Sequence, residues 1–267
     1  MDREVKGKIV AVTGSAEGLG LAMVNSFLEQ RAKLAIILDV NDQKGKEALK
    51  TLKDKYGDDR AVFYKCNVLN DLNNVYEKII NNHIYIDVLI NNAGVLDEKN
   101  IKKTMNINAI AVMEWTMKFY ENMRVDKGGR GGTIINVSSI CGYMVTPYMP
   151  FYHASKYAVL GFSKSIGHES NFKKGGVRVI TLCPGLTRTS MANNLNVWED
   201  ESLDAFFEYT KSYDCQEPKD VGDGAVEIFR KINPITIYWP DLGIEPRNTV
   251  SAALHVANFF FVFFHAV

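Results

Sequence analysis

Seven short β-branched and aliphatic runs, separated by longer stretches of helical periodicity, leave this chain few architectures. The runs lie at 8–13, 33–39, 61–66, 86–91, 133–139, 177–183 and 236–240. Helical patterns lie between them, including a long one ending near residue 124, one over about 151–172 and one near 219–231. Within each run the apolar residues continue without polar alternation, so both faces of the resulting strand must be covered. Such strands, alternating with helices, require a doubly wound parallel sheet with helices on either side, an α/β fold. No stretch has a linker's composition, and no period of 20 to 50 residues repeats. A single domain over residues 1–250, followed by an apolar tail at 251–267, is the expected organisation.

Composition narrows the classes of function. Lys and Arg total 31 and Asp and Glu total 31 among 267 residues, so no net positive charge is available for a nucleic acid partner. Cys66, Cys141, Cys183 and Cys215 stand far apart without a CxxC pair, and the charged start MDREVKGK is no secretory signal. A reducing, cytoplasmic setting is expected. Five histidines without HxxxH or HExxH spacing give no metal site. Asn136-Val137-Ser138 forms a glycosylation sequon, but inside an apolar run of a chain without an export signal it reads as structural. The glycine cluster at 127–132 reads as a turn before a strand.

After the first run, Thr13-Gly14-Ser15-Ala16-Glu17-Gly18-Leu19-Gly20 opens a helix. Glycines at such a turn let the backbone approach a pyrophosphate seated on the helix N-terminus. Asp39 follows Gly20 by 19 residues, at the end of the second run. This combination is the dinucleotide-binding pattern of a Rossmann fold. Asp39 can accept both adenosine ribose hydroxyls, whereas a 2′-phosphate would meet its carboxylate. With no Lys or Arg beside Asp39 or in the glycine loop, NAD is expected over NADP.

Tyr152 and Lys156, four residues apart in Tyr152-His153-Ala154-Ser155-Lys156, fall one helical turn apart on the same face. A buried structural pair is one reading. At roughly 5 Å and an effective dielectric near 20, the ammonium would also stabilise a phenolate by about 3 kcal/mol. That moves a tyrosine from about 10 toward 8, which suits a general base. Ser139, thirteen residues upstream of Tyr152 at a strand end, can hydrogen-bond the same substrate oxygen.

Together these residues resemble the short-chain dehydrogenase/reductase family. The likeness rests on TGxxxGxG at 13–20, on Asn91-Asn92-Ala93-Gly94, on Ser139 and the Tyr152/Lys156 pair, and on Pro184-Gly185 followed by Thr187 and Thr189. It spans residues 7 to about 190. Within the family, NNAGVLDEKNIKKTMNIN, GGRGGTIINVSS and CPGLTRT are most similar to NAD-dependent 15-hydroxyprostaglandin dehydrogenases and insect-type alcohol dehydrogenases. The resemblance implies that Tyr152 takes the hydroxyl proton, Ser139 orients the oxygen, and Lys156 binds the nicotinamide ribose while lowering the Tyr152 pKa. Asn106 is implied to kink the long helix and hold a proton-relay water, with Asn108 as a rival two residues later. Backbone at Gly14, Gly18, Leu19 and Gly20 is implied to hold the pyrophosphate, Asn92 and Ala93 to flank the adenosine ribose, and Thr187 and Thr189 to meet the nicotinamide amide and phosphate. The implied cofactor set also includes Val40 beside Asp39 and Val68 beside Asn67. Two residues depart from the pattern. Asn67 replaces the family's usual Asp beside the adenine and can still accept from the adenine amine. Met149, placed at the substrate, stands where the prostaglandin enzymes carry a polar amide, and suits an apolar, adaptable pocket.

Residues 188–217 carry Met191, Leu195, Trp198, Phe206 and Phe207 without a strand pattern and read as an apolar substrate loop, with ordinary core packing as the alternative. The tail holds Phe259, Phe260, Phe261, Phe263 and Phe264 yet falls short of a membrane span. Subunit contact in a homodimer or homotetramer is the first expectation for it, ahead of a shallow membrane contact or a role in lining a neighbouring pocket. The expected activity is NAD-dependent oxidation of a secondary or lipophilic alcohol. Its rivals are the reverse carbonyl reduction and a noncatalytic dinucleotide-binding protein.

Overall fold

The computed structural model describes residues 3–83, 85–193, 196–211, 215–231 and 237–238. Its strands are β1 Ile9–Thr13, β2 Leu34–Asp39, β3 Ala61–Lys65, β4 Val88–Asn91, β5 Gly132–Val137, β6 Val177–Leu182 and β7 Ile237–Tyr238. They form one sheet in the order β3-β2-β1-β4-β5-β6-β7, and every pairing is parallel. The doubly wound α/β reading therefore holds. The predicted tail at 251–267 and the boundary at residue 250 lie outside the described residues.

Alternation along each strand sends neighbouring side chains to opposite faces. In β1, Val10 and Val12 join Phe27, Ile37 and Phe229 in one buried cluster, while Ile9 and Ala11 join Ile36, Trp115 and Phe119 in the other. Helices α1 Gly18–Glu29, α2 Asp42–Tyr56 and α10 Pro218–Lys231 contribute to the first cluster. Helices α3 Leu72–His83 and α5 Val112–Met123 contribute to the second. A short helix α4, Ile101–Met105, reaches α5 through a π-helical turn at Asn106–Ala111.

The helix expected over about 151–172 is broken in two. Helix α6, Pro150–Ile166, ends at Gly167, and α7, Glu169–Gly175, starts afresh with the His168 side chain accepting from the Ser170 N–H. The segment at 188–217 also differs from a plain loop, since it contains α8 Ser190–Asn193 and α9 Leu203–Thr210. Phe206 of α9 is buried against Met149 and Val197. Leu195 lies outside the described residues.

The sequon asparagine is fully buried in β5, where Asn136 joins Asn91, Thr116 and Ser163 in a hydrogen-bonded network. Its side-chain amide is therefore committed to the sheet interior. On the first face, the Phe27 and Phe229 rings meet edge to face at 5.8 Å, and buried Arg178 donates to the Phe229 carbonyl at 2.9 Å. Truncating Phe229 to Ala should destabilise the protein by about 3–5 kcal/mol in urea titration, the range for losing a buried ring. A loss below about 1 kcal/mol would mean that α10 packs loosely on the sheet.

Candidate active site

The sheet order reverses direction of growth between β1 and β4, and the loops leaving these strands open a crevice there. Gly14 holds φ +62°, in the left-handed region, and a Cβ on it would stand 2.8 Å from Ala93 Cα. A Cβ at Gly20 would stand 2.2 Å from the Gly14 carbonyl oxygen and 2.7 Å from Asn92 Nδ2. Glycine is therefore required for the two loops to touch. Thr13 Oγ1 accepts from the N–H groups of both Asn92 and Ala93 at 3.0 Å, and Asn92 Nδ2 donates to the carbonyls of Thr13 and Gly14 at 2.9 Å. The predicted set Gly14, Gly18, Leu19, Gly20, Asn92 and Ala93 is thus brought together at the start of α1. Thr13 completes it as a structural brace that its place in the motif had not singled out.

At the end of β2, Asp39 Oδ2 accepts from the Ala16 N–H at 2.9 Å and Oδ1 accepts from the Asn41 N–H at 2.9 Å. These bonds hold the carboxylate at the mouth of the glycine turn. Exposed Val40 follows it. No Lys or Arg adjoins Asp39 in sequence or stands in the glycine loop, yet a cation reaches this corner in the fold. Helix α2 brings Lys44 there, but its ammonium is held by both Glu17 carboxylate oxygens at 2.8 Å. Asn67 Oδ1 accepts from the Leu69 N–H at 3.0 Å, which leaves one lone pair for a ligand, and the Val68 carbonyl accepts from Trp115 Nε1 at 2.9 Å. The donors, acceptors and close backbone approaches of this crevice fit an adenine dinucleotide.

Tyr152 and Lys156 stand on α6, with Lys156 Nζ 5.4 Å from the centre of the Tyr152 ring. Lys156 is 4% exposed and donates to the Val137 carbonyl at 3.1 Å. Ser139 lies two residues beyond the end of β5, its hydroxyl accepts from the Cys141 N–H at 3.1 Å, and it stands near enough to the Tyr152 phenol to favour the phenolate. Ser139, Tyr152 and Lys156 are therefore one cluster. Burial pushes the Tyr152 phenol up from its ordinary value, with Ser139 opposing it, and pushes Lys156 down to about 8. The field of the ammonium alone would lower Tyr152; desolvation of both buried groups outweighs it, so the expected fall is not found.

Asn106 is not part of this cluster. It lies exposed at the start of the π-helical turn, while Asn108, two residues later, is fully buried. Asn108 Oδ1 accepts from the Val95 N–H at 2.8 Å, and its Nδ2 donates to the Val95 carbonyl at 2.8 Å and to Ser155 Oγ at 3.2 Å. The asparagine that joins the long helix to the loop after β4 and to α6 is thus Asn108. Thr187 is buried and donates to the Gly185 carbonyl at 3.0 Å, and Thr189 Oγ1 donates to the Thr187 carbonyl at 3.5 Å. Met149 is 5% exposed in an apolar cluster with Val197 and Phe206, packed also by Tyr152, Leu96 and Leu203. Among the described residues no helix is long and apolar enough to cross a membrane.

Comparison with known proteins agrees with this geometry. The family model described as short chain dehydrogenase matches residues 8–200. The 15-hydroxyprostaglandin dehydrogenase [NAD(+)] of Rattus norvegicus is 33% identical over 233 residues, covering 84% of this chain and 86% of that protein. Alcohol dehydrogenase 1 of Ceratitis cosyra is 34% identical over 198 residues, covering 72% of this chain and 74% of that protein. Among solved structures, levodione reductase superposes with a TM-score of 0.77 at 20% identity, over 89% of this chain and 97% of that one. The glycine crevice between β1 and β4, the Ser139, Tyr152 and Lys156 cluster, and the extent of these matches assign the chain to the short-chain dehydrogenase family, as an oxidoreductase of CH–OH groups that works with a nicotinamide dinucleotide.

Proposed function

We propose that the protein oxidises a secondary or lipophilic alcohol with NAD, with Tyr152 as the general base. The observation that carries this reading is the Ser139, Tyr152 and Lys156 cluster set beneath an apolar wall of Met149, Val197 and Phe206. NAD, when bound, supplies the hydride acceptor. Ser139 holds the substrate oxygen, the Tyr152 phenolate takes its proton and becomes the neutral phenol, and the Lys156 charge favours the phenolate that must be present before the transfer. Asn108, rather than Asn106, holds the π-helical turn against α6 through Ser155. Thr187 and Thr189 would hold the nicotinamide end of the bound dinucleotide, and Asp39 with Val40, Asn67 and Val68 its adenosine end. The cofactor cradle and the cluster lie at the same ends of adjacent strands, and a lipophilic substrate is favoured by the apolar residues nearest Tyr152.

Tyr152→Phe should reduce kcat for alcohol oxidation at least about a thousandfold while NADH affinity, followed by fluorescence, stays within a few fold. A tenth of the parent rate in that variant would refute the assignment. NADH with ketone should be compared with NAD and alcohol in the same assay. A reverse rate far above the forward one would turn the reading toward a carbonyl reductase.

Cofactor choice rests on Asp39, whose carboxylate is fixed by two backbone hydrogen bonds where it would meet the adenosine ribose, and on Glu17, which occupies Lys44. NAD should exceed NADP by about a hundredfold or more in kcat/KM, since one carboxylate facing a phosphate supplies roughly 3 kcal/mol. Asp39→Ala should narrow that ratio, and equal use of both cofactors by the parent protein would contradict the reading.

Lys156 serves the site at a stability cost. Its pKa falls from 10.5 to about 8 on folding because burial disfavours the charged form. Between those values the unfolded chain binds more protons than the folded one, so this group's contribution to stability rises with pH across the window. A displacement of that size corresponds to about 3 kcal/mol, and the hydrogen bond to Val137 returns about 1 kcal/mol. Lys156→Met should therefore raise Tm at pH 7, and the gain should shrink toward pH 10. A pH-independent difference in Tm would show that the ammonium is not the source of the cost.

A further inference from the structure

Helix α6 begins without a cap of its own. Its N-cap residue, Met149, has no side-chain acceptor, and the first helical position is Pro150, which has no N–H. The next two N–H groups belong to Phe151 and to Tyr152 itself. Both are taken by one carboxylate from the loop after β4: Glu98 Oε2 accepts from the Phe151 N–H at 2.8 Å, and Oε1 accepts from the Tyr152 N–H at 2.7 Å. Glu98 is 2% exposed.

This is an expensive way to cap a helix. Burying a carboxylate is penalised heavily, and burial raises the Glu98 pKa against the two backbone hydrogen bonds that lower it. A serine or aspartate at position 149 would satisfy the same donors from within α6. The bidentate bond from another loop achieves what an internal cap cannot: it fixes where the helix starts relative to the strand β4 crevice. The bonds are short and charge-assisted, and one of them ends on the backbone of the tyrosine that carries the proposed chemistry. The main chain of Glu98 extends the connection, because its N–H donates to the Asn196 carbonyl at 2.9 Å and its neighbour Asp97 bridges to Asn196. Asn196 directly precedes Val197, which packs with Met149 over the apolar side of the site.

We propose that Glu98 is the positioning residue for Tyr152, holding the first turn of α6 and the segment at 196–198 in one rigid unit so that the phenol meets substrate in register. The proposal rests on Tyr152 being the general base, so Tyr152→Phe is measured alongside. The test compares Glu98→Gln and Glu98→Ala for kcat, KM, NADH affinity by fluorescence, and thermal melting. Glutamine retains one acceptor oxygen of the two, and alanine none. Expected is a graded fall in kcat, Glu above Gln above Ala, reaching on the order of 10- to 100-fold for Ala, as for a displaced catalytic group. NADH affinity should stay within about threefold in both variants, because the cradle of Gly14 and Asn92 does not involve Glu98.

A kcat within twofold of the parent in folded Glu98→Ala overturns the proposal. So does a fall in NADH affinity that parallels the fall in kcat, which would mark a general structural role. If the alanine variant does not fold, Glu98→Gln decides alone: a reduced kcat at parent NADH affinity supports the proposal, and a parent-like kcat overturns it. Retained activity in Tyr152→Phe would instead refute the underlying general-base reading, whatever Glu98 does.

Discussion

Sealing both faces of a parallel sheet leaves polar chemistry one place to gather, the edge where the strands end. Every side chain of β1 is buried, and so is every side chain of β4, β5 and β6. Backbone turns after those strands are therefore the first points at which groups with hydrogen-bonding capacity can face a ligand. Parallel pairing places the ends of β1, β4, β5 and β6 side by side, so residues far apart in sequence share one rim. Thr13, Asn92 and Ser139 each lie on or within two residues of a strand terminus. The reversal between β1 and β4 separates the loops enough to form a crevice there, and helix α1 points its N-terminus into it.

Much of this was legible in the residues because it depends on local pattern. Unbroken runs of Val, Ile and Leu marked the buried strands to within a residue or two, and the glycine turn announced itself through spacing. Tyr152 and Lys156 are neighbours by helix geometry alone. What escaped has a physical reason in each case. The choice between Asn106 and Asn108 turns on the phase of a helix that changes its hydrogen-bond period midway, and α-helical spacing does not register this change. The break between α6 and α7 depends on the His168 side chain capping a new helix. Lys44 reaches Glu17, 27 residues away in sequence, only through the folded placement of α2. The direction of the Tyr152 shift depends on desolvation, which is a property of the assembled interior.

The site is built from few strong polar contacts inside apolar surroundings. Asn91, Asn136, Thr116 and Ser163 are joined by hydrogen bonds beneath it, and Asn108 returns both hydrogen bonds of the Val95 backbone. A buried amide that serves a donor and an acceptor on one residue behaves like a short strand pairing, which holds a loop without requiring it to be regular. The loop after β4 can thus remain irregular, and free to shape a ligand site, while being fixed at Val95 and at Glu98.

The π-helical turn at Asn106–Ala111 amounts to one residue more than an α-helix would need. Each residue advances a helix by about 100°, so α5 is turned by that amount from the phase that α4 alone would set. Chain length at this point is therefore as consequential as side-chain chemistry. A single-residue deletion within the turn would restore an unbroken α-helical ladder and preserve every apolar type in α5. It would also rotate the Asn108 amide away from Val95 or swing Trp115 and Phe119 off the sheet, because no straight helix presents both faces at once. Insertions and deletions here act as rotations of the core relative to the active site.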